Sequence, residues 1–158
     1  MEKIKIEKIE QTAQAGLFTI YFENNDESEF ERFINRFKDD AERKQDLQII
    51  LNAIQKMLSN NGFLERYFRP EGKMNDNVVA LPIERGKLRL YCLRMSDSIL
   101  IVGNGGIKDT RSYNENPELN GYVITLQKLD ALLKTGIANG HIIIETTDIT
   151  GIDKFMEL

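Results

Sequence analysis

The stretch from Val78 to Tyr113 constrains this chain more than any other. It reads as three strands joined by tight turns. The first, Val78–Glu84, is bounded by Glu84-Arg85-Gly86-Lys87. The second, Leu88–Met95, alternates around Arg89 and Tyr91. The third, Ile99–Val102, is wholly apolar and leaves through a glycine-rich exit carrying Lys108, Arg111 and Tyr113. Short turns between successive strands make a meander, and this one delivers basic and phenolic side chains to one rim. Such a rim can hold phosphate and move protons. Pro82 inside the first strand calls for an edge position or a bulge, because proline has no N–H to give to a ladder.

Upstream, Lys3–Ile9 and Leu17–Glu23 read as two strands around a Gln11–Gly16 turn. Asp26, with Glu29 three residues on, suggests a capping box for a first helix over about Glu27–Phe37. Phe30, Phe33, Ile34 and Phe37 share one stripe of it. A second helix over about Glu42–Asn60 repeats the pattern with Leu47, Ile50, Leu51, Ile54, Met57 and Leu58, and Asn61-Gly62 stops it. The two form a helical hairpin whose apolar faces need a sheet. Phe63–Asn77 reads as a loop, with a short strand at Glu65–Phe68. After Tyr113, Asn116 and Pro117 cap and open a third helix that runs to Gly136. His141–Glu145 is one more short strand, and Asp148–Leu158 reads as a turn of helix or a loose tail.

These elements predict one α+β domain over residues 1–158: a helical hairpin on a mostly antiparallel twisted sheet, a β-meander and a C-terminal helix. With 158 residues, 41% hydrophobic and 29% charged, the chain can bury a substantial core. No apolar run is long enough to span a membrane. The opening Met1-Glu-Lys-Ile-Lys-Ile lacks the pattern of a secretory signal. A lone cysteine, Cys92, on the apolar side of its strand reads as a small buried hydrophobe. Together these favour the cytoplasm.

The net charge of −4 argues against general nucleic-acid binding, but its distribution is uneven. Arg66 to Tyr113 holds nine basic and five acidic residues, against 12 basic and 20 acidic elsewhere. One basic surface on an acidic body follows. Tyr67, between Arg66 and Arg69, can stack a base or pack on the sheet edge. Gly103-Asn-Gly-Gly-Ile-Lys-Asp-Thr lacks the spacing of a phosphate loop, so close turn packing explains its glycines better. His141 has neither the companions of a metal site nor those of a triad. Asp148, Asp153 and Glu157 read as a solvated terminus in preference to an acidic tail that covers the basic face in cis.

The element order, with Lys87-Leu-Arg-Leu-Tyr-Cys-Leu-Arg-Met-Ser-Asp-Ser-Ile-Leu-Ile-Val and Gly103-Asn-Gly-Gly-Ile-Lys-Asp-Thr-Arg-Ser-Tyr, resembles the RelE/ParE-type (HigB-like) toxins of bacterial type II toxin–antitoxin systems. The resemblance covers a core over 17–133, with an extra N-terminal strand in 1–16 and a C-terminal extension in 134–158. It implies a metal-independent endoribonuclease that cuts messenger RNA, on the ribosome in RelE-like members, by attack of a ribose 2′-hydroxyl on the adjacent phosphate. No cofactor is implied, no membrane, and no DNA contact of its own. A cognate antitoxin would cover the basic face.

Carried over by position, Arg89, Lys108, Arg111 and Tyr113 are the catalytic candidates: Arg89 on phosphate, Lys108 and Arg111 on developing charge, Tyr113 in proton transfer. Lys73, Arg85, Lys87 and Tyr91 are the substrate-binding candidates. A lysine or tyrosine acting as base needs a depressed pKa, which neighbouring cations supply. The alternative is a non-catalytic protein-binding module of the same fold that holds an acidic partner on the rim. Exposure separates the two: for phosphate chemistry the four residues must converge on one open concavity, whereas Arg89 paired with Asp109 or Glu84 would be structural.

Overall fold

The computed structural model describes residues 2–72, 76–82 and 86–158. Strands β1 (Lys3–Gln11) and β2 (Gly16–Phe22) precede helices α1 (Glu29–Phe37) and α2 (Lys44–Ser59). Then come β3 (Arg69–Pro70), β4 (Val78–Pro82), β5 (Leu88–Ser96) and β6 (Ile99–Ile107), followed by α3 (Pro117–Ala138). Three two-residue strands close the chain: β7 (Ile143–Ile144), β8 (Ile149–Thr150) and β9 (Met156–Glu157). Seven strands form one sheet in the order β3-β4-β5-β6-β2-β1-β9, and β7 and β8 form a separate pair. Among the described residues only β2 and β6 run parallel; the other pairings are antiparallel.

The sheet is covered on both faces. On one, Phe30, Phe33 and Phe37 of α1 and Leu47, Ile50 and Ile54 of α2 pack with Leu88, Leu90, Cys92, Leu100 and Val102. On the other, Leu119, Val123, Leu126, Leu129 and Leu133 of α3 pack with Val78, Ala80, Tyr91, Leu93, Ile99 and Ile101. The alternation of β5 thus serves two cores, which is why its sequence is apolar without a break from Leu90 to Leu93. Cys92 is buried, as its apolar neighbours predict.

Local details differ from the sequence expectations. The first helix is capped by Ser28, not Asp26: Ser28 accepts from the Glu31 N–H at 3.0 Å, and the Glu31 carboxylate accepts from the Ser28 N–H at 3.2 Å. The expected strand at Glu65–Phe68 is a 3₁₀ turn, Glu65–Tyr67, with β3 just after it. The tail is neither helix nor loose, because β9 pairs with β1 at Lys3↔Glu157 and Ile4↔Met156. Pro82 follows its rule in part: β4 is an inner strand, yet β3 pairs with it only at Val79 and Ala80 and stops short of Pro82.

The glycine run is inside a strand rather than beyond it. β6 continues through Gly103–Gly106 to Ile107, with a register shift opposite Leu90 and Cys92. Gly105 fits because a Cβ there would run into the Arg89 carbonyl oxygen on the neighbouring strand. The bulge lets Gly106 pair with Arg89.

Candidate functional site

Register brings a charged cluster together on the α3 face of the sheet, near its β3 edge. Arg69 pairs with Ala80, and Ala80 pairs with Tyr91. Ala80 and Tyr91 belong to the α3 core, so Arg69 faces the same way. Glu71 lies two residues further on the same side, and its N–H donates to the Val78 carbonyl at 3.0 Å. Arg89, two residues before Tyr91, is opposite Gly106, which has no side chain to occupy that face. Beyond β6, the Lys108 N–H continues the ladder to the Lys87 carbonyl at 2.7 Å. The chain then returns across the face, and the Tyr113 ring meets Tyr91 edge-on, centroids 6.5 Å apart at 65°.

The electrostatics centre on Glu71. Burial lifts its carboxyl above the usual carboxylate range, while Lys108, Arg69 and Arg89 pull it back down. Among the described residues none of those cations forms a direct ion pair with it, so the attraction acts across space. The Arg89 guanidinium is held by the backbone just before and at the start of its strand: Nη1 donates to the Gly86 carbonyl at 2.8 Å and to the Leu88 carbonyl at 2.9 Å. Burial, and then Arg69, weaken its hold on its proton, though an arginine stays charged through such shifts.

Both tyrosines hold their protons. Burial pushes the Tyr113 phenol up, and the Glu71 and Asp76 carboxylates push it further. Tyr91 is shifted upward too, first by burial and then by Glu71. The sequence argument expected cations to depress a tyrosine pKa. Carboxylates beside these rings do the opposite, so Tyr113 can donate a proton or a hydrogen bond but is a poor base. The Tyr91 hydroxyl is buried and has no hydrogen-bond partner among the described residues.

Of the eight candidates, the structure brings Arg89, Lys108, Tyr113 and Tyr91 together. Arg111 is exposed, and its N–H donates to the Glu115 carboxylate at 3.1 Å; among the described residues no ion pair or side-chain hydrogen bond ties it to the cluster. Lys87 is exposed on the ladder beside Lys108. Lys73 and Arg85 lie outside the described residues. Arg89 makes no ion pair with Asp109 among the described residues, and Glu84 lies outside them. Tyr91 is fully covered, so it forms the floor of the cluster rather than an open contact surface.

Sequence reasoning missed Arg69 and Glu71. Their signal was present: two charged residues two apart, directly after the buried Phe68, as on one face of a strand. Pro70 and Gly72 between and after them gave the segment the look of a loop.

A cleft of about 430 Å³ opens at the β3 edge, mostly on the α1–α2 face, lined among others by Glu65, Phe68, Pro70, Glu71, Asp76 and Arg94. Glu71 belongs to both cleft and cluster. Asp76, by contrast, is committed to the fold, accepting from the Val78 N–H at 3.1 Å and from Gln127 Nε2 at 3.1 Å. Among the described residues no group of three or more His, Cys, Asp or Glu is placed to hold a metal ion. None of the helices there is long and apolar enough to cross a membrane. No protein-family model matches this chain, and no curated protein or solved structure matches it either.

Proposed function

We propose that this chain is a RelE-like toxin that cleaves messenger RNA, with its α1–α2 pair, meander and α3 forming the RelE-like arrangement. The observation that carries the reading is the gathering of Arg69, Arg89 and Lys108 around one face, close enough to act on one another and on Glu71, yet without a direct ion pair to it. Cations held near one another with no direct ion pair among the described residues suit a phosphodiester, whose charge rises in the transition state. Among the described residues Arg89 is positioned through Nη1, which leaves Nε and Nη2 to meet phosphate oxygens.

The reaction is attack of a ribose 2′-oxygen on the adjacent phosphorus with departure of the 5′-oxygen. It leaves a 2′,3′-cyclic phosphate and a 5′-hydroxyl. Arg89, Arg69 and Lys108 stabilise the phosphorane, and the protonated Tyr113 donates a hydrogen bond to it. An antitoxin with an acidic segment would silence the enzyme by covering these cations.

A second reading has one specific observation behind it. The two carbonyl contacts of Arg89 also describe an arginine that braces the β4–β5 turn, as in a non-catalytic module binding an acidic protein. Purified protein and its Arg89→Ala variant, incubated with an RNA oligonucleotide and with the same sequence as DNA, separate the two. The ribonuclease reading expects cleavage of RNA only, ends bearing a cyclic phosphate, and a loss of about 10²–10³-fold in Arg89→Ala. Induced expression would arrest growth with the parent and not with the variant. A soluble, folded parent that neither cuts RNA nor arrests growth selects the binding module.

A further inference from the structure

We propose that the groove between α2 and the end of β4 is a binding site for a small carboxylate with an apolar body, of the medium-chain fatty acid kind. The groove lies on the α1–α2 face of the sheet, away from the cationic cluster, and the proposal does not depend on the ribonuclease reading.

The strand ladder leaves this groove open. β3 pairs with β4 only at Val79 and Ala80, so it does not reach Leu81 and Pro82. Pro82 has no N–H to offer an added strand, which favours a ligand held by side chains over a peptide held by backbone. The space has a volume of about 400 Å³, within the range of small-molecule pockets. Met57 and Leu81, both buried, with Ala53 and Pro82, supply its apolar part. Lys56, Asn60, Asn61 and Tyr67 supply its polar part. Along α2 the lining runs from Ala53 to Asn60, about 10 Å of helix, apolar at its start and polar at its end. That gradient fits an amphipathic guest.

The polar end is built of donors. Lys56 is exposed and forms no ion pair among the described residues. The Tyr67 oxygen accepts from Asn61 and, at 3.4 Å, from Arg66 Nη2, and these donors hold its phenol below the usual range. With its oxygen so engaged, Tyr67 has an O–H to give to a ligand. The last carbonyls of α2 are already met: Lys56 by the Asn60 N–H at 3.0 Å, Met57 by the Gly62 N–H at 2.8 Å and Leu58 by Thr12 Oγ1 at 2.6 Å. Other clefts carry acids. The one at the β3 edge has Glu65, Glu71 and Asp76, and the one beside β1 has Glu7, Asp148 and Asp153. On a chain of net charge −4, the described lining of this groove holds a lysine and no carboxylate. A single negative charge matches that single cation, with Tyr67 and Asn60 left to meet the remaining lone pairs.

The test is a titration of the isotope-labelled full chain with sodium octanoate, below its micelle threshold, read by backbone amide shifts and run beside the neutral octanamide. Saturable shifts at Ala53, Met57, Asn61 and Leu81 are expected, with octanamide about tenfold weaker. Lys56→Gln should weaken octanoate about tenfold and leave octanamide unchanged, and Tyr67→Phe should weaken octanoate about threefold. Lys56 is exposed, so its replacement leaves the fold intact. Lys128→Gln makes the same change of charge on α3 and should bind octanoate as the parent does. A peptide ending in a free leucine carboxylate should bind more weakly than octanoate; tighter binding would give the groove to a protein terminus and overturn the small-molecule assignment. Equal affinity for octanoate and octanamide, shifts that do not saturate, or a Lys56→Gln that binds as tightly as the parent also overturn it. So does a Lys128→Gln that loses as much as Lys56→Gln, because net charge rather than the groove would then set the affinity.

Discussion

Asp130 and Glu71 stand near opposite ends of the connection between β3 and β4, and the fold treats these two carboxylates in contrary ways. Asp130, on α3, accepts from the Asn77 N–H at 3.2 Å, from Asn77 Nδ2 at 2.9 Å and from Lys134 Nζ at 2.9 Å. Its side chain is 2% exposed. Glu71 is half-buried and its carboxylate takes no direct bond among the described residues, although three cations act on it. A buried carboxylate with every neighbour bonded is a fastener, because burying the charge is tolerable only when its lone pairs are met. One that is partly buried and unbonded keeps a cost that the fold has not removed. Such residual costs gather where a site must act on something else. The contrast separates the part of this connection that fastens the fold from the part that sits among the cations.

Asp130→Ala should produce the largest change in stability. It strips the Asn77 backbone N–H and side-chain amide of their acceptor in a part-buried position. The expected loss is about 2–4 kcal/mol, most of it from those orphaned donors. Lys134 is half exposed and adds little on its own. The urea midpoint measures this, and Asp130→Asn should recover part of it by restoring an acceptor. A midpoint equal to the parent's would mean that the loop does not depend on this fastener.

Gly105→Ala comes next and reaches the cluster without altering a charge. The new methyl group would press on the Arg89 carbonyl, so β5 and β6 must part at the bulge. A loss of about 2–3 kcal/mol is expected, with weaker RNA binding because Arg89 moves. A variant as stable as the parent would show that β5 and β6 can yield there without loss.

The division between fastener and site was only partly legible in the sequence. Periodicity located the three helices and the strands β1, β2, β4 and β5 because amphipathic stripes and alternation are local signals. Asn116-Pro117 marked the start of α3 because capping is local too, and its side chain accepts from Glu118 and Leu119. Failures came where the deciding contact is distant in sequence. The glycines of β6 look like a turn until the Arg89 backbone is beside them. β9 is too short to announce itself without β1. At the site, Arg89, Lys108, Tyr91 and Tyr113 were readable from strand alternation and the exit from the meander. Arg69 and Glu71 were hidden by a two-residue strand containing proline, and the outlying place of Arg111 depends on how the chain turns after Lys108.

Glu71→Gln tests the same contrast through stability. The folded pKa of Glu71 is raised, so the folded protein binds this proton more tightly than the unfolded chain does. Its contribution to stability is therefore complete below the unfolded carboxylate pKa and is lost as pH rises through the folded value. At neutral pH the ionised Glu71 costs stability, and the glutamine variant should melt at a higher temperature than the parent. The difference should close in mild acid, where both side chains are neutral. A variant that melts lower at neutral pH would mean that the cations hold Glu71 as firmly as Asn77 and Lys134 hold Asp130.

Tyr91→Phe should have the smallest effect. The hydroxyl is buried without a partner, so its removal abandons no hydrogen bond, and the edge-on packing against Tyr113 stays. Stability is expected to stay within about 1 kcal/mol of the parent, on the favourable side, because a buried hydroxyl without a partner is a cost. RNA affinity should be unchanged, since Tyr113 and α3 cover the ring. An affinity loss at unchanged stability would carry more information than the expected result. It would mean that Tyr113 swings aside when RNA binds and that the Tyr91 hydroxyl, idle in the free protein, finds its acceptor on the phosphate.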